Sequence, residues 1–152
     1  MPSEPTSAKD YRFFTPITTR WNDNDVYGHV NNVTFYSWFD TAANLYLIAR
    51  AGLDVALSPV IALVVASSCD YHAPVSYPER IRVGVRVDKV GNRSVIWGIG
   101  IFREKHDAAV AHGMLAHCFV DRTTRKPVEI PTAMREALAK IADSPIADRP
   151  KK

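Results

Sequence analysis

The stretch RWNDNDVYGHVNNVTFYSWFD, residues 20–40, places many polar groups directly ahead of an aromatic-rich run. Two carboxylates, a histidine, four asparagines and a glycine come before the first regularly spaced apolar residues. A helix start needs only one capping side chain of the Ser, Thr, Asp or Asn type. The surplus indicates that this segment has a second task besides starting a helix.

The residues after this motif predict a long helix over residues 32–51. Its apolar positions fall close to the i, i+3, i+4, i+7 spacing of one helical face; they are Phe35, Phe39, Ala42, Leu45, Tyr46 and Ala49. Gly52 follows in the position of a C-cap. The N-terminus of such a helix presents unpaired amide N–H groups and a partial positive charge, which can polarise a carbonyl oxygen or hold an oxyanion.

The rest of the chain predicts a sheet of long strands. The predicted elements around the helix are a short strand over 11–20, long strands over 59–74, 81–90, 94–104 and 109–121, and a closing amphipathic helix over 130–142. Strands that follow one another with short turns pair antiparallel, and the long helix is needed to cover the otherwise bare face of the sheet. The sequence therefore predicts an α+β fold, a curved antiparallel sheet wrapped around one central helix.

Three sequence features of the predicted strands lead to further expectations. Pro16 favours an edge position or a bulge for the first strand. The apolar start of residues 59–74 predicts burial on both faces. Gly98 and Gly100 lie on one face of their strand and leave room there for a group that packs closely.

The composition limits the class of protein. At 152 residues, with 47% hydrophobic and 23% charged residues, the chain is most simply one globular domain with one core. We expect this domain over residues 11–142, with flexible Pro-, Ser- and charge-rich tails over 1–10 and 143–152. The net charge of +3, from 19 basic and 16 acidic residues, is too small to argue for nucleic-acid binding.

The sequence also bears on the compartment. No signal peptide is indicated, and the longest apolar run, VIALVVA (60–66), is far shorter than the roughly 20 residues of a membrane span. Cys69 and Cys118 form no C-x-x-C pattern, so we expect two reduced thiols in a cytoplasmic protein. The five histidines show no metal-binding spacing, and we expect neither a metal nor another cofactor.

The motif itself suits acyl transfer. Gly28 permits a sharp turn and close approach to a ligand, and Asn31 and Asn32 are good helix-capping residues. A loop can fold the Asp25 carboxylate back over the helix end, where a base or nucleophile would stand beside an oxyanion-binding amide. Structural roles remain open at this point: Asp25 as a capping residue, Asp23 as a turn carboxylate, and His29 packed over the helix start.

Residues 20–40 resemble the signature of hotdog-fold acyl-CoA thioesterases of the 4-hydroxybenzoyl-CoA thioesterase family. That signature is D-x-D-x-x-G-H-V-N-N followed by aromatic residues; this chain has DNDVYGHVNN, then Phe35, Tyr36, Trp38 and Phe39. The order of elements over residues 11–128 also agrees with the hotdog fold. The resemblance implies hydrolysis of an acyl-CoA, with an aromatic or fatty acyl group, to a free acid and coenzyme A.

The resemblance also implies roles for individual residues. The catalytic acid of the family corresponds to Asp25, and its carbonyl-polarising amide to the backbone near Asn32. The related plant acyl-carrier-protein thioesterases share H-V-N-N and are associated with an Asp, Asn and His set, in which His29 matches but Tyr27 replaces the asparagine. His29 is therefore a secondary catalytic candidate. The expected substrate contacts are Tyr27, Gly28, Val30, Asn31 and Phe35.

Coenzyme A and assembly give further expectations. A polyphosphorylated ligand requires cations, for which Arg93 is the first candidate, followed by Lys89 and Arg80. The resemblance implies a homodimer with one continuous sheet or a homotetramer, and an acyl pocket between subunits. The competing interpretations are a hotdog hydratase or dehydratase, a non-catalytic acyl-CoA-binding hotdog module, and an unrelated α+β interaction protein.

Overall fold

A computed structural model describes residues 3–142. Its helices and strands are β1 (Phe13–Thr18), α1 (Asn32–Ala51), β2 (Val60–Tyr71), β3 (Arg80–Val90), β4 (Ser94–Arg103), β5 (Ala111–Asp121) and α2 (Thr132–Lys140). The predicted α+β architecture is confirmed, with α1 packed on one face of a five-stranded antiparallel sheet. The predicted tail at 143–152 lies outside the described residues.

The bounds of α1 follow from its two caps. Asn31 Oδ1 accepts the N–H of Val33 at 2.9 Å, which satisfies one of the amides left free at the helix start. At the other end Gly52 adopts a left-handed conformation with φ of 74°, and Leu53 N–H donates to the Leu47 carbonyl. Between the caps, Leu45 and Ala49, which the sequence placed on the apolar face, are exposed. The face that lies in the core is formed by Phe35, Trp38, Phe39, Ala42, Ala43, Tyr46, Leu47 and Ala51.

The strand order is β1-β3-β4-β5-β2, and every neighbouring pair is antiparallel. Pro16 lies in the edge strand β1, as predicted. Consecutive strands β2 and β3 are not neighbours, because residues 72–79 carry the chain across to the far side of the sheet. The prediction that residues 59–74 are buried on both faces is wrong: β2 is the other edge strand, and most of its residues are exposed. An apolar run in the sequence can belong to a central strand or to an edge strand that packs against another surface. The run alone therefore does not show which position in the sheet the strand occupies.

The outer face of the sheet is covered in part by the segment that precedes β1. Ala8 N–H donates to the Asp107 carbonyl at 2.9 Å, so part of the predicted flexible tail lies against the β4–β5 connection. The buried Tyr11 packs edge-on against Phe102 with 5.7 Å between ring centroids. A Cβ at Gly100 would lie 2.7 Å from Tyr11 Cζ. Gly100 therefore leaves the room for close packing that the sequence predicted.

This contact predicts a destabilising effect of Gly100→Ala. The added methyl group overlaps the Tyr11 ring, so the free energy of unfolding should fall by about 1–3 kcal/mol, the usual cost of overpacking. Urea denaturation measures the change. In a Tyr11→Ala background the same substitution should cost little, because the overlapping ring is gone. An equal cost in both backgrounds would contradict this explanation.

None of the helices within residues 3–142 is long and apolar enough to cross a membrane.

Candidate active site

The loop before α1 is held in place by Asp23. Its carboxylate is buried and accepts three hydrogen bonds from Arg20, one from the backbone and two from the guanidinium group, at 2.7–3.1 Å. The Asp23 carbonyl also accepts Asn31 N–H at 2.8 Å. All of these contacts are internal to the loop, so Asp23 is a structural carboxylate.

Asp25 occupies a tight turn and keeps part of its carboxylate accessible. Its Oδ1 accepts Tyr27 N–H at 2.9 Å, and its carbonyl accepts Gly28 N–H at 3.0 Å. Asp25 N–H donates to the His29 carbonyl at 2.9 Å. These contacts fix the direction of the side chain and leave Oδ2 with one long contact of 3.4 Å from Asn31 Nδ2. The carboxylate therefore has a free acceptor position for a water molecule or a substrate.

One side-chain amide links this carboxylate to the helix start. Asn31 Nδ2 faces Asp25, while Asn31 Oδ1 caps Val33. Within residues 3–142, the N–H of Asn32 has no hydrogen-bond acceptor. A free amide at the positive end of a 20-residue helix is suited to a carbonyl oxygen that gains negative charge. The Asp25 carboxylate therefore lies next to the Asn31 side chain at the start of α1. The catalytic roles of Asp25 and Asn32 stay predictions.

Gly28 supplies the backbone conformation that the turn requires. Its φ is +84°, and a Cβ built there would meet no atom within 4 Å. Its carbonyl accepts a hydrogen bond from Ser76 Oγ at 2.9 Å. The glycine is therefore required by conformation rather than by crowding within the chain, and the space beside it is open to a ligand.

The motif separates two neighbouring clefts. A cavity of about 460 Å³ is lined by Trp21, Asn24, Asp25, Val26 and Gly28. A cleft of about 320 Å³ on the helix side is lined by His29, Val30, Asn32, Phe35, Tyr71, His72, Ala73, Pro74 and Val75. In the single chain, Asp25 faces the first cleft and the helix start faces the second.

The remaining predicted contact residues differ in accessibility. Tyr27 and His29 are exposed at the tip of the loop, and the His29 ring has no hydrogen-bond partner within residues 3–142. Val30 and Phe35 are buried, and each shows only an edge to the helix-side cleft. Their side chains form part of the wall of that cleft and are largely inaccessible from it.

Tyr71 is a residue of this site that the sequence did not single out. It ends β2, and its hydroxyl donates to the Asn32 carbonyl at 3.0 Å. Its ring meets Phe35 edge-on with 5.2 Å between centroids. Burial raises the pKa of the Tyr71 hydroxyl, with further contributions from Cys69 and Tyr36. Tyr71 comes to the helix start only because β2 pairs with β5, a pairing that the sequence does not specify.

The three predicted CoA-binding cations do not lie together. Arg80 starts β3 opposite Thr18, at the end of the sheet where the loop before α1 begins. Lys89 and Arg93 flank the β3–β4 hairpin at the opposite end of the sheet. Within one chain, only Arg80 is at the Asp25 end. Residues 3–142 contain no group of three side chains that could hold a metal ion.

Comparison with known proteins places the chain in a family. The profile of the thioesterase-like superfamily matches residues 19–138. The chain is 52% identical to the PA5185 protein of Pseudomonas aeruginosa strain PAO1, whose crystal structure aligns with a TM-score of 0.89 over 90% of this chain and 96% of that one. A DHNA-CoA thioesterase of Staphylococcus aureus is 25% identical, with a TM-score of 0.74 over 84% of this chain and 89% of that one.

A shorter match links the chain to the uncharacterised protein YsmA of Bacillus subtilis strain 168. The two are 27% identical over 85 residues, which are 56% of this chain and 57% of YsmA. The matched region thus spans little more than half the length of that relative.

The chain belongs to the thioesterase-like superfamily. The hotdog fold and the thioester-hydrolase class predicted from residues 20–40 are confirmed. Membership of the narrower 4-hydroxybenzoyl-CoA group stays a prediction.

Proposed function

We propose that this member of the thioesterase-like superfamily uses Asp25 and the Asn32 amide to hydrolyse an acyl-CoA thioester. The observation that supports these residues is the free N–H of Asn32, which follows directly after Asn31, whose side-chain amide lies 3.4 Å from the Asp25 carboxylate. The thioester carbonyl oxygen accepts the Asn32 N–H, and the helix dipole stabilises the charge that develops on that oxygen.

Asp25 supplies the second half of the chemistry. Its carboxylate removes a proton from water as the water attacks the thioester carbon. The C–S bond then breaks, and Asp25 returns the proton to the leaving thiolate, so that coenzyme A departs as the thiol. The same position suits direct attack by the carboxylate on the thioester carbon, which breaks the C–S bond, expels the thiolate of coenzyme A and gives a mixed anhydride that water opens. In both routes the fixed turn at Tyr27 and Gly28 aims the carboxylate before substrate binds.

A dimer joined along β2 would complete the site. The exposed apolar side chains of β2 include Leu63, Val64 and Val65, on an edge strand with unpaired backbone groups. Antiparallel pairing of two β2 strands reverses one copy, so the β3–β4 hairpin of one chain lies at the Asp25 end of the other. This arrangement supports a role for Lys89 and Arg93 in binding the phosphates of coenzyme A across the dimer.

The dimer predicts a measurable assembly state. Light scattering after gel filtration should give a dimer or a tetramer at micromolar concentration. Val65→Lys places a charge on the edge strand and should shift the protein toward monomer. Val55→Lys is the matched control, because Val55 is 63% exposed against 64% for Val65 but lies outside the strands. A wild-type monomer would contradict the proposed assembly.

Thiol release tests the activity. The protein is incubated with aromatic, short, medium and long acyl-CoAs in the presence of a thiol reagent. Release of coenzyme A from at least one of them is the expected result. Tight binding without release would instead indicate a non-catalytic module. Loss or gain of water across an enoyl-CoA without thiol release would indicate a hydratase or dehydratase.

A further inference from the structure

The helix α1 leaves part of the inner sheet face uncovered along β2. Val64 pairs directly with His117 of β5, so the two side chains lie on the same face of the sheet. His117 is fully buried, whereas Val64 is 46% exposed. Helix α1 therefore covers the inner face of β5 but not the neighbouring inner face of β2. The open strip beside the helix, bounded by α1 and by Val64, Ser67, Cys69 and Tyr71 of β2, is called the ledge below.

The ledge begins at the proposed reaction centre. Tyr71 forms one end and contacts the Asn32 carbonyl. From that end the ledge follows α1 past Tyr36 to Asp40. Residues 36 and 40 are one helical turn apart and share a face of the helix. Asp40 lies eight residues beyond Asn32, about 12 Å along the helix axis, and its side chain leans back toward the helix N-terminus. An acyl group whose carbonyl binds at Asn32 and which follows the ledge would end near Asp40.

Asp40 is backed by a buried histidine of defined tautomer. Trp97 Nε1–H donates to His117 Nδ1 at 2.9 Å. A nitrogen that accepts cannot also carry the proton, so the proton of the neutral ring is on Nε2. His117 Nε2 lies 3.8 Å from Asp40 Oδ1 and has no hydrogen-bond partner within residues 3–142. A buried donor without a partner is unfavourable, and this one points toward the carboxylate.

The surroundings of Asp40 favour its charged form. His117 keeps the pKa of the Asp40 carboxyl below its usual range, and the hydrogen bond from Asn44 Nδ2 at 2.9 Å acts in the same direction. The side chain is 53% exposed in the single chain. A dimer along β2 would cover the ledge and remove much of its water, and a covered carboxylate requires hydrogen-bond donors. The neighbours named here supply one such donor at hydrogen-bond distance, so acceptor capacity remains for a ligand.

We propose that Asp40 is a specificity-determining residue that contacts the end of the acyl group farthest from the thioester, and that His117 positions the Asp40 side chain. Asp40 favours acyl groups with a hydrogen-bond donor at that end over plain hydrocarbon chains, and it disfavours acyl groups that end in a carboxylate. This inference rests on the proposed function, since it assumes an acyl thioester whose carbonyl lies at Asn32. Trp97 holds the tautomer with which His117 faces Asp40.

The test compares three acyl-CoAs of equal chain length: octanoyl-CoA, 8-hydroxyoctanoyl-CoA and the mono-CoA thioester of octanedioic acid. In the wild-type protein, kcat/KM should be highest for the hydroxylated chain and lowest for the dicarboxylic one. Asp40→Ala should reduce the preference for the hydroxylated chain over octanoyl-CoA by about tenfold, the usual loss for a hydrogen bond to a charged group. It should also raise relative activity on the dicarboxylic chain. General damage to the structure would lower all three values together and leave the ratios unchanged.

Two further variants sharpen the comparison. Thr41→Ala is the matched control: Thr41 is exposed on the same helix but lines the groove toward β1, so it should keep the wild-type ratios. Asp40→Lys should reverse the charge preference and make the dicarboxylic chain the better substrate. Wild-type ratios in both Asp40 variants would overturn the inference.

Binding measured beside turnover separates the inference from the function that it assumes. Calorimetric titration with the same three compounds gives the second readout. Equal binding and equal hydrolysis of all three by the wild-type protein would overturn the role of Asp40 and leave the thioesterase activity standing. Asp40-dependent preference in binding without hydrolysis would support that role and contradict the proposed function.

Discussion

Asp25→Asn should lower kcat for acyl-CoA hydrolysis by roughly two or more powers of ten while acyl-CoA binding persists. The amide keeps the shape of the carboxylate and can still accept the N–H of Tyr27, so the turn should survive. It cannot take a proton from water at neutral pH, nor form a mixed anhydride. Steady-state thiol release measures the rate, and titration calorimetry measures the binding.

Two other carboxylates serve as controls for this result. Asp121 resembles Asp25 in its local contacts, since its Oδ1 accepts the backbone N–H groups of Thr123 and Thr124 at 2.8 Å, but it lies at the other end of the sheet. Asp121→Asn should leave turnover unchanged. Asp23→Asn loses the charge that binds Arg20 and should affect stability more than the turnover of the folded protein. Near-normal turnover in Asp25→Asn would contradict the mechanism.

The helices and strands could be predicted closely because each has a local signal. The helical spacing after the motif and Gly52 predicted the bounds of α1, and the strand predicted over residues 81–90 corresponds to β3 (Arg80–Val90). The order of strands could not be predicted in the same way. Pairing of β2 with β5 depends on the path of residues 72–79, and nothing local in that segment specifies which strand it passes. The prediction for the burial of β2 was wrong for the same reason, because burial depends on the position of the strand in the sheet.

The same distinction between local and long-range signals applies to the candidate site. Asp25, Asn31 and Asn32 are close in sequence, so their proximity follows from one turn and one helix cap. The contact of Tyr71 with Asn32 and the approach of His117 to Asp40 depend instead on the sheet register and on the position of α1 on the sheet. His112 and His117 are five positions apart in β5 and therefore lie on opposite faces of the sheet, but nothing local in the sequence shows that the His117 face is the buried one.

Gly28 has a conformational role in the proposed site, and this role gives the second large effect. Gly28→Val places a β-branched residue at φ of +84°, a conformation that such side chains resist. The new side chain also enters the cavity that Asp25 faces. A displacement of the loop by about 1 Å can cost a factor of about 100 in rate, so we expect kcat/KM to fall by that order. The protein should still fold and assemble, because one strained backbone position costs only about 1–3 kcal/mol.

Gly52→Val separates strain from catalysis. Gly52 also has a positive φ, 74°, and a Cβ at this position would likewise meet no atom within 4 Å, but it lies at the opposite end of α1. The two variants should therefore lose similar amounts of unfolding free energy in urea, while only Gly28→Val loses activity. Equal activity losses in Gly28→Val and Gly52→Val would show that the loss in Gly28→Val comes from general destabilisation of the protein. Normal hydrolysis by a folded Gly28→Val protein would show that the loop is not at the reaction centre, even though the fold is right.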